Sequence, residues 1–144
     1  MFQNILLGID GSEHSFKAAR VAGEVARGMG AGALWVVVCY DPVPAYLGEP
    51  VGAPYLDDAI AFRERKAERE LEKALNEIGR VPAEVQTRVL EGPPAEAILS
   101  MAEMNANDLI IMGTRGLGTL AGLLLGSQSH KVVSHAQCPV LLVR

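Results

Sequence analysis

A chain of 144 residues, 49% hydrophobic and 21% charged, has the length and balance of one globular domain that can bury a core, and is too apolar to be disordered. Its net charge of −4 speaks against a nucleic-acid binder, which displays a basic face. No apolar stretch approaches the roughly 20 residues of a membrane span, no basic region precedes the first apolar run as in a secretory signal, and a cytoplasmic protein is expected.

In chain order, Ile5 to Ile9 predicts a strand buried on both faces, because its apolar residues run without alternation. It ends at Asp10-Gly11-Ser12, where Ser12 suits a helix N-cap. Ala18, Ala19, Ala22, Val25, Ala26 and Met29 follow at helical spacing, and Gly28 to Gly32 supplies the stop. Leu34 to Tyr40 is a second strand, its three consecutive valines favouring the pleated surface. Asp41 to Leu56 holds Pro42, Pro44, Gly48, Pro50, Gly52 and Pro54 and reads as a long loop, functional or mobile. A helix over Asp57 to Ile78 follows, lined by Ala67, Leu71, Ala74, Leu75 and Ile78. Its mixed charges from Arg63 to Lys73 suit a solvated face.

Val85 to Leu90 alternates, as a half-exposed strand near a sheet edge does. Gly92-Pro93-Pro94 breaks the chain and opens a helix carrying Ala97, Ile98, Met101 and Ala102. Leu109 to Met112 is another buried strand, ending at Gly113. A glycine-rich stretch, a short helix near Ser127 to His135 and a last strand at Val140 to Val143 complete the order β-α-β-α-β-α-β-α-β. That alternation predicts an open parallel sheet with helices on both faces and right-handed crossovers, in one domain over 1–144. Cys39 and Cys138 lie in apolar runs and suit buried, reduced thiols.

Ligands of such sheets bind beyond the carboxyl ends of the strands, where the strand order reverses. The loop after Met112 is the most informative: Gly113-Thr114-Arg115-Gly116, nine residues from Leu117 to Leu125, then Gly126-Ser127. Glycines let backbone come close to a bulky anion. Gly126-Ser127 stands before a helix whose first N–H groups and dipole would hold phosphate oxygens, with the Ser127 and Ser129 hydroxyls adding bonds. A merely flexible apolar loop containing Gly118 and Gly122 is the competing reading. His14, His130 and His135 lack a metal-ligand pattern and read as structural or surface residues.

Gly-x2-Gly-x9-Gly-Ser at this place resembles the ATP-binding pattern of the universal stress protein family. Ile5-Leu-Leu-Gly-Ile-Asp-Gly-Ser12, Gly92-Pro-Pro-Ala-Glu-Ala-Ile98, Asp108-Leu-Ile-Ile-Met-Gly113 and His135-Ala-Gln-Cys-Pro-Val-Leu-Leu-Val143 extend the resemblance over essentially the whole chain. It implies a five-stranded sheet of order 3-2-1-4-5, of the adenine-nucleotide alpha-hydrolase-like type, with ATP and magnesium across strands 1 and 4. By that resemblance Asp10 sits on the nucleoside side with the backbone of Gly8 and Ile9, and Val38 meets adenine through its backbone. Met112 and Gly113 border the ribose, Arg115 and Gly116 the phosphates, and Gly126, Ser127, Gln128 and Ser129 hold the triphosphate. It also implies a homodimer through Val140, Leu141, Leu142 and Val143, an apolar strand near the chain end that suits an edge. Against these roles, Asp10 could simply cap the first helix, Arg115 could be an exposed loop residue, and Lys131 fits a surface position better than a phosphate contact.

No Gly-x4-Gly-Lys-Ser/Thr loop occurs, so the lysine and metal-binding hydroxyl of that nucleotide-hydrolysing class are missing. The expected activity is therefore an ATP-dependent stress sensor or switch with at most slow hydrolysis, acting on a protein partner that the sequence does not name. An ATP-hydrolysing or adenylyl-transferring enzyme using Asp10 for a metal is one alternative, and an interaction module with a vestigial site is another.

Overall fold

The computed structural model describes residues 1–40, 53–114 and 126–144, with backbone alone for 53–56. Its elements are β1 (Asn4–Ile9), α1 (Glu13–Met29), β2 (Ala33–Tyr40), α2 (Ala53–Ile78), β3 (Glu84–Glu91), α3 (Pro94–Met104), β4 (Leu109–Gly113), α4 (Ser127–His135) and β5 (Val140–Val143). The strands form one parallel sheet in the order β3-β2-β1-β4-β5. That is the expected topology, with the reversal of strand order falling between β1 and β4.

The unbroken apolar runs are explained by two cores, one on each face. Side chains alternate across a strand, so Ile5, Leu7 and Ile9 of β1 join Leu34, Val36 and Val38 of β2 and Leu109 and Ile111 of β4 under α1 and α2. Leu6, Val37, Ile110 and Met112 point the other way, onto Ala95, Ile98 and Ala102 of α3 and Val132 of α4. Strands covered on both sides leave no polar face. The edges differ: β3 keeps Val85 and Val89 partly in solvent, and β5 leaves Leu141 37% exposed.

Helix boundaries follow local chemistry. Ser12 caps α1 by accepting a hydrogen bond from the Ser15 amide at 3.2 Å, and Gly30 ends the helix in the left-handed region at φ 64°. Gly23 lies where any Cβ would strike the Ile78 carbonyl, so α1 and α2 pack backbone to backbone there. One expectation is corrected. α2 begins at Ala53 rather than Asp57, taking in Pro54, because a proline fits the first helical turn, where its missing N–H has no partner to lose. The remainder of the proline-rich loop, 41–52, lies outside the described residues.

Candidate functional site

β1 and β4 run side by side with Gly8 opposite Met112, so the segments leaving their carboxyl ends diverge and open a crevice. Gly8, Ile9 and Asp10 form one wall, Met112 and Gly113 another, and Gly126, Ser127, Gln128 and Ser129 close it from α4. The enclosed space is about 100 Å³. A larger cavity of about 540 Å³ adjoins it, sharing Asp10, Cys39 and Pro94 and reaching Val38 and the Lys66–Glu70 turn of α2. The structure thus brings together every expected site residue that it describes. Arg115 and Gly116 lie outside the described residues.

Helix starts dominate the crevice chemistry. Ser15 of α1, Pro94 of α3 and Ser127 of α4, all from first turns, line it together. The N-cap of α4, Gly126, has extended backbone (φ −64°, ψ 159°) and offers no side-chain acceptor to the amides that follow. These amides have no partner within the helix itself, and the positive end of the helix dipole adds to their pull on an anion.

Several of these side chains are also held in contacts within the protein. The Asp10 Oδ1 accepts a hydrogen bond from the Ser12 amide at 2.9 Å, steadying the turn into α1, while Ser12 itself is the cap. The Gln128 Oε1 accepts one from the Ala95 amide at 3.0 Å. It caps α3, whose own N-cap, Pro93, provides none, so its side-chain oxygen is committed to protein. The Ser129 hydroxyl donates to the Gly113 carbonyl at 3.2 Å and ties α4 to the end of β4. A Cβ on Gly113 would lie 2.6 Å from the His14 carbonyl carbon and 2.7 Å from the Ser15 nitrogen. That glycine is therefore demanded by contact with the first turn of α1, whatever enters the crevice. Lys131 pairs with Glu96 at 2.8 Å on the exposed surface.

Sequence reasoning missed Ser15, Cys39, Pro94 and Ile98 as lining residues. It also read the charged run of α2 as solvated throughout, whereas Glu70 has a side chain only 16% exposed and faces the larger cavity with Lys66. Burial pushes the Glu70 carboxyl up, the nearby Asp10 charge adds to this, and Lys66 and Arg69 oppose it. The Cys39 thiol is pushed up to about 11 by burial, so it stays protonated and inert at neutral pH. Apart from the helix start opened by Pro94, these residues carried no local signal.

The universal stress protein family model matches residues 1–144. The chain belongs to the universal stress protein family. A relative from Thermus aquaticus, named universal stress protein in QAH/OAS sulfhydrylase 3'region, is 51% identical over 144 residues and covers 100% of both chains. Universal stress protein UspA from Lactobacillus plantarum superposes with a TM-score of 0.73 at 26% identity, covering 99% of this chain and 98% of its own. A universal stress protein solved in complex with cAMP gives a TM-score of 0.67 at 29% identity, with 99% and 97% covered. No helix among the described residues is long and apolar enough to cross a membrane.

Proposed function

We propose that this universal stress protein is one ATP-binding domain over 1–144, acting as a nucleotide-dependent stress sensor or switch with at most slow hydrolysis. The observation that supports it most is the uncapped start of α4 at Gly126-Ser127, facing Gly113 across the crevice and Asp10 at its rim. The cAMP-bound relative supports an adenine nucleotide as the ligand class.

In this reading the backbone amides from Ser127 to Ser129 hold the phosphates, joined by Arg115 and Gly116. Gln128 contributes its amide only. Asp10 and the backbone of Gly8 and Ile9 take the ribose, bordered by Met112 and Gly113, and the strand end at Val38 meets adenine in the larger cavity. Among the described residues the donor set is mostly neutral amides, so magnesium carried with ATP would add to the charge neutralisation that Arg115 supplies. Identifying the nucleotide released on denaturing the purified protein, then titrating ATP, ADP, AMP and cAMP, tests this. Stabilisation of about 2.7 kcal/mol is expected at 100 times the dissociation constant. No stabilisation by any of them would leave an interaction module with a vestigial site.

Among the described residues β5 pairs only with β4, and it presents Leu141 to solvent, which supports the expected homodimer through Val140 to Val143. Leu142 packs into the α3/α4 core, so Leu141→Lys is the cleaner probe. Sedimentation should show a shift toward monomer with the fold retained, and an unchanged dimer would remove this interface.

A further inference from the structure

The crevice and the larger cavity beside it join where Asp10, Cys39 and Pro94 line both. On the proposed function, phosphates lie at the start of α4 and adenine at the Val38 strand end, so the sugar of the ligand falls at this junction. In a ribose, C2′ adjoins the base and C3′ lies on the way to the phosphates. A side chain that lines the larger cavity alone is therefore placed for the 2′-hydroxyl. Asp10, common to both spaces, is placed for the 3′-hydroxyl.

Glu70 of α2 is such a side chain. Gly11 follows Asp10 in the turn after β1, at φ 80°, and any Cβ on it would strike the Glu70 carboxylate. The glycine thus admits that carboxylate against the turn that carries Asp10, whose own Oδ1 is held by the Ser12 amide. Here the Glu70 side chain is only 16% exposed, and Lys66, one helical turn away, stands 3.9 Å from its Oε1. That distance supplies charge but no hydrogen bond, and neither Glu70 oxygen accepts a hydrogen bond from another of the described residues. A carboxylate withdrawn from water without donors has lost hydration that a ligand can restore. With Lys66 already balancing the charge, the missing partner is a neutral donor, which a sugar hydroxyl is.

We propose that Glu70 is a specificity-determining residue of the nucleotide site: its carboxylate accepts a hydrogen bond from the ribose 2′-hydroxyl and selects ribonucleotides over 2′-deoxyribonucleotides. The inference rests on the reading of the crevice as an adenine-nucleotide site and adds the choice of sugar to it. A 2′-deoxy sugar would cover the carboxylate and leave it unpaired, and a site built to bond a hydroxyl rejects the analogue that lacks it for this reason. Because Glu70 lies away from the start of α4, its loss changes which sugar is accepted rather than how the phosphates are held.

The test is calorimetric titration of the full chain, in magnesium, with ATP, 2′-deoxy-ATP and 3′-deoxy-ATP, for the parent, Glu70→Ala and Glu70→Gln. The parent should bind ATP about tenfold more tightly than 2′-deoxy-ATP. In Glu70→Ala that ratio should fall to about twofold or less, through weaker binding of ATP, while the ratio of ATP to 3′-deoxy-ATP stays as in the parent. Glu70→Gln, which keeps an acceptor without the charge, should fall between the two. Both replacements suit a helix, and the parent's own ratio is a test that needs neither. Equal affinity of the parent for ATP and 2′-deoxy-ATP would overturn the proposal and leave the nucleotide site standing. An equal loss for all three ligands in Glu70→Ala would do the same. Failure of the parent to bind any of them would remove the nucleotide reading and this proposal with it.

Discussion

The two ends of the sheet are built to opposite plans. At the amino end, side chains bridge the termini of distant elements. The Asp108 carboxylate accepts hydrogen bonds from the Gln3 and Asn4 amides at 2.7 and 3.0 Å, the Asn4 Nδ2 donates to the Asn105 carbonyl, and Asn107 reaches back to Asn4. At the carboxyl end, the four helices α1 to α4 begin, and α4 starts with a glycine that caps nothing through a side chain. One end spends its polar groups on holding β1 against β4, and the other keeps amides available to an anion. On the proposed function, one parallel sheet separates stability from binding: strand direction fixes where helix N-termini collect, and polar side chains tie down the other end.

Gly113 breaks this division most strongly. It belongs to the carboxyl end, yet its close approach to the backbone of His14 and Ser15 makes it a packing residue. Gly113→Ala should destabilise the fold by about 3 kcal/mol, measured by urea denaturation without ligand. A loss below about 1 kcal/mol would place Gly113 with the binding residues alone. Asp108→Ala probes the opposite end. Removing two charge-assisted bonds to backbone amides should cost about 2 kcal/mol and leave nucleotide affinity unchanged. A selective loss of affinity would mean that the two ends are coupled. The smallest effect is a gain. Ala106 ends α3 at φ 50°, with its own amide donating to the Glu103 carbonyl and that of Asn107 to the Ala102 carbonyl. Glycine is the residue suited to that position, so Ala106→Gly should stabilise by about 0.5–1 kcal/mol; a loss would show that the alanine methyl packs favourably.

Much of this division was legible in the sequence because its signals are local. Unbroken runs such as Leu109 to Met112 announce strands covered on both faces, and Ser12, Gly30 and Pro94 mark helix ends by their own chemistry. Gly126-Ser127 before a helix pointed to the crevice for the same reason. The remainder depends on which elements meet. Gln128 stands 33 positions from the α3 amide that it caps, and Gly113 is far in sequence from His14, so spacing carries no trace of either contact. Glu70 looked like any other charge on a helix surface until α2 was laid beside Gly11, where a Cβ would strike its carboxylate.

The account rests on the free start of α4 as an anion cradle, and Ser127→Asp tests it most directly. A carboxylate at the first position of a helix favours the helix but sets a negative charge where phosphates would lie. Thermal unfolding of both proteins with and without magnesium-ATP should show a variant at least as stable as the parent without ligand, with the parent alone stabilised by nucleotide. Equal stabilisation of both by ATP would contradict the claim that these amides hold the phosphates.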